Sequence, residues 1–491
     1  MSSFVFSLRG LFGMLALVAV TLVFVSAPFA GPGEKLFVSD ALPLGDEDAD
    51  DLFIVRHSAD ADDAPVTAES RTAHLNGEVE DFVADHFSDL ERIYKHLHST
   101  PELSYYETQT AAFLAKQLEG NGFEVTRHFA GTGVVAVLHN GEGPTVLIRT
   151  EMDALPIEEK TDLPYASKVQ TRDRDGNLVG VMHACGHDVH MTCWLGAARA
   201  LASMKEHWHG TLVFVAQPAE EMGAGAHAMI QAGLFTRFPR PDYCLALHCD
   251  PQAPAGTVAY TPGLAMANID MVEIVVKGKG GHGAWPHMTV DPVVLSARLI
   301  LDLQTLVSRE NNPTDPLVLT IGTIHGGTKP NIIPNEVTLQ LTVRTTRELT
   351  RHRVLDGIVR MSKAAALGAS APEPDVRIKS NWHTPAVIND PRLLEQTIGF
   401  FRDTLGESRV SQRPPMMGGE DFARFGRAGI PSVLFFLGTQ SPERVAKAEL
   451  SDEDPLPSLH SDRFAPVVEP TLKTGVQSMT LAVLNIVGAT P

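Results

Sequence analysis

The chain has 491 residues and a net charge of −19, with 44% hydrophobic and 20% charged residues. That length calls for two domains or one large domain with an insertion, and the composition is that of an ordinary globular chain. The acidic balance excludes nucleic acid as a partner. The four cysteines are too few for a disulfide scaffold, and their spacing leaves any pairing open.

In chain order, Arg9 is followed by LFGMLALVAVTLVFV and then SAPFAG. A basic residue, an apolar run and small residues make a secretory signal over residues 1–30, with cleavage expected after Ala27 or Ala30. The alternative is an uncleaved anchor, since the run approaches the ~20 residues that span a bilayer. Either way the protein is expected to be exported, with membrane contact only through this segment. Asp46, Glu47, Asp48, Asp50, Asp51, Asp60, Asp62 and Asp63 then crowd one stretch. Residues 31–75 read as an acidic, poorly ordered linker.

Apolar residues at helical spacing predict a helix over 79–97, broken at Thr100-Pro101. A second follows over 108–119, closed by Gly120 and Gly122. GVVAVLHN, PTVLIRT, TLVFVAQ, YCLALHC, MVEIVVKG and PSVLFFLG are short apolar runs between turn residues and read as strands. VHMTCWLGAARALASMKEHW reads as a helix among them. Strands alternating with helices predict an α/β fold, and runs apolar on both faces predict a mostly parallel sheet. The middle of the chain differs. MVEIVVKG, a helix over 291–309 capped by Asp291 and Pro292, LVLTIGTIHGG, EVTLQLTVRTT, a helix over 348–366 and PDVRIKS give the order β-α-β-β-α-β. Residues 267–380 are therefore read as a second domain inserted into one formed by 76–266 and 381–491.

Residues 182–190 read MHACGHDVH. Cys185 and His187 are two apart, and a turn at Gly186 lets both point one way. A thiolate and an imidazole suit zinc and its first-row neighbours; the bland alternative is a set of satisfied core histidines. Further donors stand where apolar strands end, the place where functional groups gather in open α/β sheets. Glu220 and Glu221 follow TLVFVAQPA, His248 ends YCLALH, and His460 lies in PSLHSDRFAP. Of the glutamate pair, one carboxylate suits a metal and its neighbour suits a base that takes a proton from water; the alternative is a solvated loop face. GKGGHG at 278–283 matches G-x-G-x-x-G. Pro286 and further loop residues separate it from the next helix, which excludes a dinucleotide loop.

RTEMDALPIEE, MHACGHDVHMTCWLGAA, QPAEE, LHCDP, GKGGHGAWPH, GGTKPNIIPNEV and MGGEDFARF, followed by the His460 region, together resemble the M20 family of metallopeptidases and amidohydrolases. The likeness is to its aminoacylase, hippurate hydrolase and auxin-conjugate hydrolase branch and runs from about residue 79 onward. It implies a zinc-peptidase-like catalytic domain with two divalent metal ions (zinc, manganese, cobalt or nickel) and an inserted ferredoxin-like lid through which the chain forms a homodimer. Carried over, Cys185 bridges or flanks the metals, with His187, Glu221, His248 and His460 as the other ligands. Glu220 becomes the general base and Asp153 the carboxylate that orients a ligand. His282 resembles the lid histidine that reaches a substrate oxygen, often in the neighbouring subunit's site, while Asn331 and Arg344 resemble lid residues that hold substrate polar groups. The implied activity is hydrolysis of an N-acyl amino acid or similar conjugate. The rivals are a dipeptidase or carboxypeptidase of the same family and, more remotely, a non-catalytic binding protein. Two departures stand out. Glu151 replaces the usual aspartate, and Cys249, expected to pack, follows His248. A thiol nucleophile at Cys185 beside His183 and His187 is the alternative chemistry.

Overall fold

The computed structural model describes residues 68–378, 383–451 and 455–488. The signal segment over 1–30 and most of the acidic linker lie outside them. The first helix, α1 (Ala68–Ser99), starts before the expected residue 79, so 68–75 is helix rather than linker. α2 (Thr108–Glu119) follows, then β1 (Glu124–Phe129), β2 (Gly133–Asn140) and β3 (Thr145–Glu151). α3 (His187–Ser203), β4 (Gly210–Gln217), α4 (Gly225–Gln231), β5 (Tyr243–Pro254) and β6 (Val258–Tyr260) complete the first stretch. The middle holds β7 (Asn268–Lys277), α5 (Pro292–Thr305), β8 (Leu317–His325), β9 (Glu336–Thr345), α6 (Glu348–Gly368) and β10 (Asp375–Ile378). α7 (Pro391–Leu405), β11 (Val410–Gln412), α8 (Ala423–Arg427), β12 (Ser432–Gln440) and α9 (Val468–Val487) return to the first part.

The large sheet has the order β1-β2-β4-β3-β5-β12-β6-β11. Its centre, β4-β3-β5-β12, is parallel, which puts the strand ends that carry the candidate donors on one edge. These central strands are buried along almost their whole length, as unbroken apolar runs require. GVVAVLHN departs from the parallel expectation: as β2 it pairs antiparallel with both β1 and β4. One face of the sheet is covered by α1, α3, α7 and α9, around Trp194, Trp208, Phe401 and Phe435. α3 is buried nearly all round because it lies between the sheet and α1 and α9. Trp194 Nε1 donates to the Ile148 carbonyl (3.0 Å) and ties the helix to β3.

MVEIVVKG also corrects the first grouping. As β7 it leaves the parallel sheet for a four-stranded antiparallel one of order β8-β9-β7-β10, where it pairs with both β9 and β10. Its burial alternates over much of its length, as one packed face demands. β7 and β8 flank β9 across the α5 connection, which is the split βαβ arrangement. α5 and α6 cover this sheet around their own apolar cluster, which includes Ile274, Leu299, Leu339 and Ile358. Asp291 caps α5 by accepting from the Val293 and Val294 amides. All four cysteines are free and buried. Among the described residues no helix is long and apolar enough to cross a membrane.

Candidate metal centre

Gly186 sits at φ +82° as the N-cap of α3, a left-handed conformation that glycine adopts without penalty. The turn sends the side chains of Cys185 and His187 into the crevice. A Cβ on Gly186 would stand 2.8 Å from Cys249 Sγ, so the loop admits no side chain there. Cys249 packs against this turn, its Sγ 3.9 Å from the Gly186 carbonyl. At the end of β4, Ala219 is held at φ +51°, a strained setting for a residue with a Cβ. Its amide donates to Glu107 Oε1 (2.9 Å). The kink presents Glu220 and Glu221 to the same crevice. His460, also at a positive φ of 64°, is pinned by its amide donating to the Ala184 carbonyl (2.8 Å).

These local devices bring the five predicted ligands together. Donor atoms of Cys185, His187 and His248 lie within 4.8 Å of one another, as do those of Cys185, Glu221 and His460. Cys185 thus belongs to both groups. Its Sγ is 3.7 Å from His248 Nε2, against the edge of about 3.6 Å that a sulfur and a nitrogen span on one tetrahedral ion. His460 Nε2 stands 3.5 Å from Glu221 Oε2, and His187 Nε2 stands 3.9 Å from Glu221 Oε1. The His187 Nε2 and Glu221 Oε1 atoms are buried without a hydrogen-bond partner. Orphaned donors at ligand spacing are what a cation would satisfy. Charge points the same way. Glu151, Asp153, Glu220, Glu221, Glu420 and Asp421 converge, and burial pushes Glu220 well up, helped by Glu420 and Glu221. Burial, partly offset by His187, carries Glu221 to about 7. His187 is held up at about 10, because Asp153 and Glu151 outweigh its burial. The chain thus keeps a proton where a divalent ion fits. The residues present suit two such ions, with Cys185 within reach of both.

The tautomers favour ligation. His187 Nδ1 donates to the Asp153 carbonyl (2.7 Å) and His248 Nδ1 to the Cys249 carbonyl (2.9 Å), which leaves each Nε2 on the side of Cys185. His190 is different: its Nε2 accepts from the Cys249 amide (2.8 Å) and its Nδ1 donates to Glu151 (2.9 Å), so neither nitrogen is spare. As for a thiol nucleophile, burial and the carboxylates of Glu221, Glu220 and Glu151 drive the Cys185 thiol well up, opposite to what a reactive thiolate needs.

Asp153 acts by a route the sequence reading did not foresee. Its carboxylate lies 3.6 Å from His187 Nδ1, which bonds the backbone carbonyl instead. The carboxylate accepts from the amides of Glu220 (3.1 Å) and Glu221 (3.0 Å) and from Ser104 Oγ (2.6 Å). It therefore fixes the glutamate pair through its side chain and His187 through its backbone. Asp153→Asn is expected to weaken metal binding about 10- to 100-fold with the fold intact, read by chelator competition; unchanged affinity would refute this role.

The lid residues are not part of the gathering. His282 is exposed, accepts from the Ala284 amide (3.1 Å) and lies tilted against Trp285, ring centroids 5.0 Å apart. Exposed Asn331 accepts at its carbonyl from the Gly283 amide (2.8 Å), beside the antiparallel pairing of His282 with Ile332, so two separate loops meet here. Arg344 is half-buried and donates to the Met417 carbonyl (2.8 Å); its charge, together with burial and His187, lowers His460.

Sequence reading missed three supports. Arg149, 1% exposed in β3, holds Glu151 (2.9 Å), Glu420 (2.7 Å) and Asp421 (3.0 Å). A charged residue inside the run PTVLIRT was the available signal. Glu420 and Asp421 lay unassigned in MGGEDFARF. The third is His98, 2% exposed, which donates from Nδ1 to Asp188 (2.7 Å) and from Nε2 to Glu159 (3.0 Å). It braces the residue after His187. Burial opposes its charge, but the two carboxylates hold its pKa up at about 9, against 6.5 unfolded. A raised folded pKa gives stability that is complete below about 6.5 and is lost as pH rises through about 9. Wild type should therefore lose on the order of 3 kcal/mol relative to His98→Gln across that window. Parallel stability–pH curves from denaturant titrations would remove this assignment.

The model of peptidase family M20/M25/M40 matches residues 147–456. An N-acetyl-L-cysteine deacetylase of Bacillus subtilis is 38% identical over 352 residues, covering 71% of this chain and 79% of that protein. Thermostable carboxypeptidase 1 of Saccharolobus solfataricus is 35% identical over 371 residues, covering 75% and 88%. Among solved structures, the Bacillus subtilis YXEP protein, described as a dinuclear metal-binding peptidase of the M20 family, superposes with a TM-score of 0.64 at 29% identity, covering 82% of this chain and 99% of that one.

Proposed function

This chain belongs to peptidase family M20/M25/M40, a family of hydrolases, and on that premise we propose that it hydrolyses the amide bond of N-acyl amino acids with two divalent metal ions. The observation that carries the reading is the convergence on Cys185 of His187, His248, Glu221 and His460, with Glu220 beside them. The Glu220 carboxylate makes no hydrogen bond within the described residues, and its Oε2 lies 3.9 Å from His187 Nε2. When bound, divalent ions acidify water and polarise a carbonyl; zinc is the default for this donor set, with manganese, cobalt and nickel as options.

The rest is the work of the chain. Glu220 takes the proton of the attacking water at its free carboxylate, and its raised affinity for protons lets it hold that proton until the leaving nitrogen collects it. Asp153 keeps Glu220 and Glu221 in register through their amides. Arg344, near His460, offers charge to the substrate's carboxylate. His282 and Asn331, on the lid loops, complete the site when the lid closes or when a second copy presents them, His282 then meeting the developing oxyanion.

A homodimer through the lid follows from the same premise. β8 is an edge strand, and Val294, Leu301, Val318 and Ile324 are exposed on α5 and β8. Light scattering giving a single-chain mass in solution would contradict it. Export is proposed on the sequence of residues 1–30 alone, as a cleaved signal or a retained anchor; N-terminal sequencing of the mature protein separates the two, and recovery of the full-length chain from the cytoplasm would contradict export.

The substrate test is a screen of the metal-reconstituted protein against N-acetyl and N-benzoyl amino acids and against dipeptides. Release of free amino acid from the acyl compounds is expected. Faster cleavage of peptides would instead favour the second reading, a carboxypeptidase, which likeness to the Saccharolobus solfataricus protein supports. Turnover of neither would return the chain to a binding role.

A further inference from the structure

Away from the ligand cluster, a cavity of about 390 Å³ is lined by His227 on α4, Glu348 at the start of α6, His383, and Arg424 and Arg427 on α8. Its size falls in the range of small-molecule sites, roughly 300–1,000 Å³. The charges around it are unevenly matched. Arg427 Nη2 lies 2.5 Å from Glu348 Oε1, and the other oxygen of Glu348 lies 3.5 Å from Arg351. Arg351 in turn grips Asp270 with two bonds of 2.7 Å each. These groups answer one another, but Arg424 has no carboxylate partner among the described residues.

The Arg424 guanidinium donates through Nη2 to the His383 carbonyl, while its Nε is buried without a partner. The Nε2 of His383 is likewise buried and unpartnered. A half-buried cation with an orphaned donor, beside a second orphaned ring nitrogen, is costly unless something accepts from both. Burial keeps both His227 and His383 low, abetted by the neighbouring arginines, which is the environment an anion would relieve.

We propose that this cavity binds a small oxyanion, a carboxylate or a phosphate-type group, held by Arg424 Nε and the His383 ring. Such a group has several acceptor oxygens, and a guanidinium N–H and an imidazole N–H lining one cavity offer it two donors. Glu348 of the second-sheet domain lines the same cavity as α4 and α8 of the first, and its pairing with Arg427 leaves Arg424 as the cation open to the anion. The site is independent of the amide-hydrolysis reading.

The test is isothermal titration of the metal-loaded protein at constant ionic strength set by sodium chloride, with inorganic phosphate in one arm and acetate in the other. Wild type, Arg424→Gln and His383→Gln are compared after circular dichroism confirms that each is folded. Saturable binding by wild type, weakened at least about tenfold in each variant, is expected. A response to phosphate alone assigns a tetrahedral ligand, to acetate alone a planar one, and to both a general oxyanion site. No saturable heat in either arm, or heat equal in all three proteins, as phosphate on the metal cluster would produce, overturns the proposal.

Discussion

Replacing Glu220 with glutamine is expected to lower kcat by about 10²- to 10⁴-fold while two metal equivalents remain bound. The substitution keeps the side chain's size and leaves its amide bonded to Asp153 Oδ1 (3.1 Å), so the turn that carries Glu221 should hold its shape. What is lost is a carboxylate that makes no hydrogen bond among the described residues and stands 3.9 Å from His187 Nε2, while Glu221, at the same distance, is the one that also faces His460 and Cys185. An amide oxygen does not take a proton near neutral pH. Buried among Glu420, Glu221 and Asp421, Glu220 carries repulsion that the amide removes, so the variant should be as stable as wild type or more so. The measurement is steady-state kinetics beside elemental analysis. Near-normal kcat in Glu220→Gln would move the proton-transfer role elsewhere.

The second large effect is expected at Cys185. Cys185→Ala should lower metal affinity by at least about 100-fold, beyond what loss of an orienting neighbour causes, and should reduce turnover with it. The reason is position. The thiol stands 3.7 Å from His248 Nε2 and belongs to the grouping with His187 and to the one with His460 and Glu221. Removing it opens both. Without a cation, burial and the surrounding carboxylates keep the thiol protonated, so its use as a thiolate and the presence of divalent metal are one event. Retention of both metal equivalents by the alanine variant, with activity lost, would instead favour the nucleophile.

The architecture was legible where periodicity was strong. Runs such as SVLFFLG, buried along all of β12, read as buried strands of a mostly parallel sheet, and EVTLQLTVRTT read as a strand of the split βαβ unit, where β9 buries alternate residues. The antiparallel pairing of β2 was not legible, because an apolar run looks alike in either direction. The candidate donors Cys185, His187, Glu221 and His248 were legible because each stands at a glycine turn or beyond the end of a strand, whereas His460 lies in a loop and was carried by the family resemblance. The supports were not: His98, Asp188 and Glu159 are far apart in sequence, and only the packing of α1 over α3 unites them. Asp153 was read as a carboxylate that orients a ligand, but its route was not legible, since a carboxylate that accepts backbone amides leaves no spacing pattern. Arg424, with no carboxylate partner among the described residues, could not be noticed until the cavity beside it was visible.

The most direct test of the central claim is anomalous diffraction from crystals of the metal-reconstituted protein. It should show two ions roughly 3.5–4 Å apart, with Cys185 Sγ within bonding distance of at least one, His187, His248, Glu221 and His460 completing the set, and Glu220 bound to neither. Ions absent from this crevice, or a pair held without Cys185 and with Glu220 as a ligand, would contradict the account.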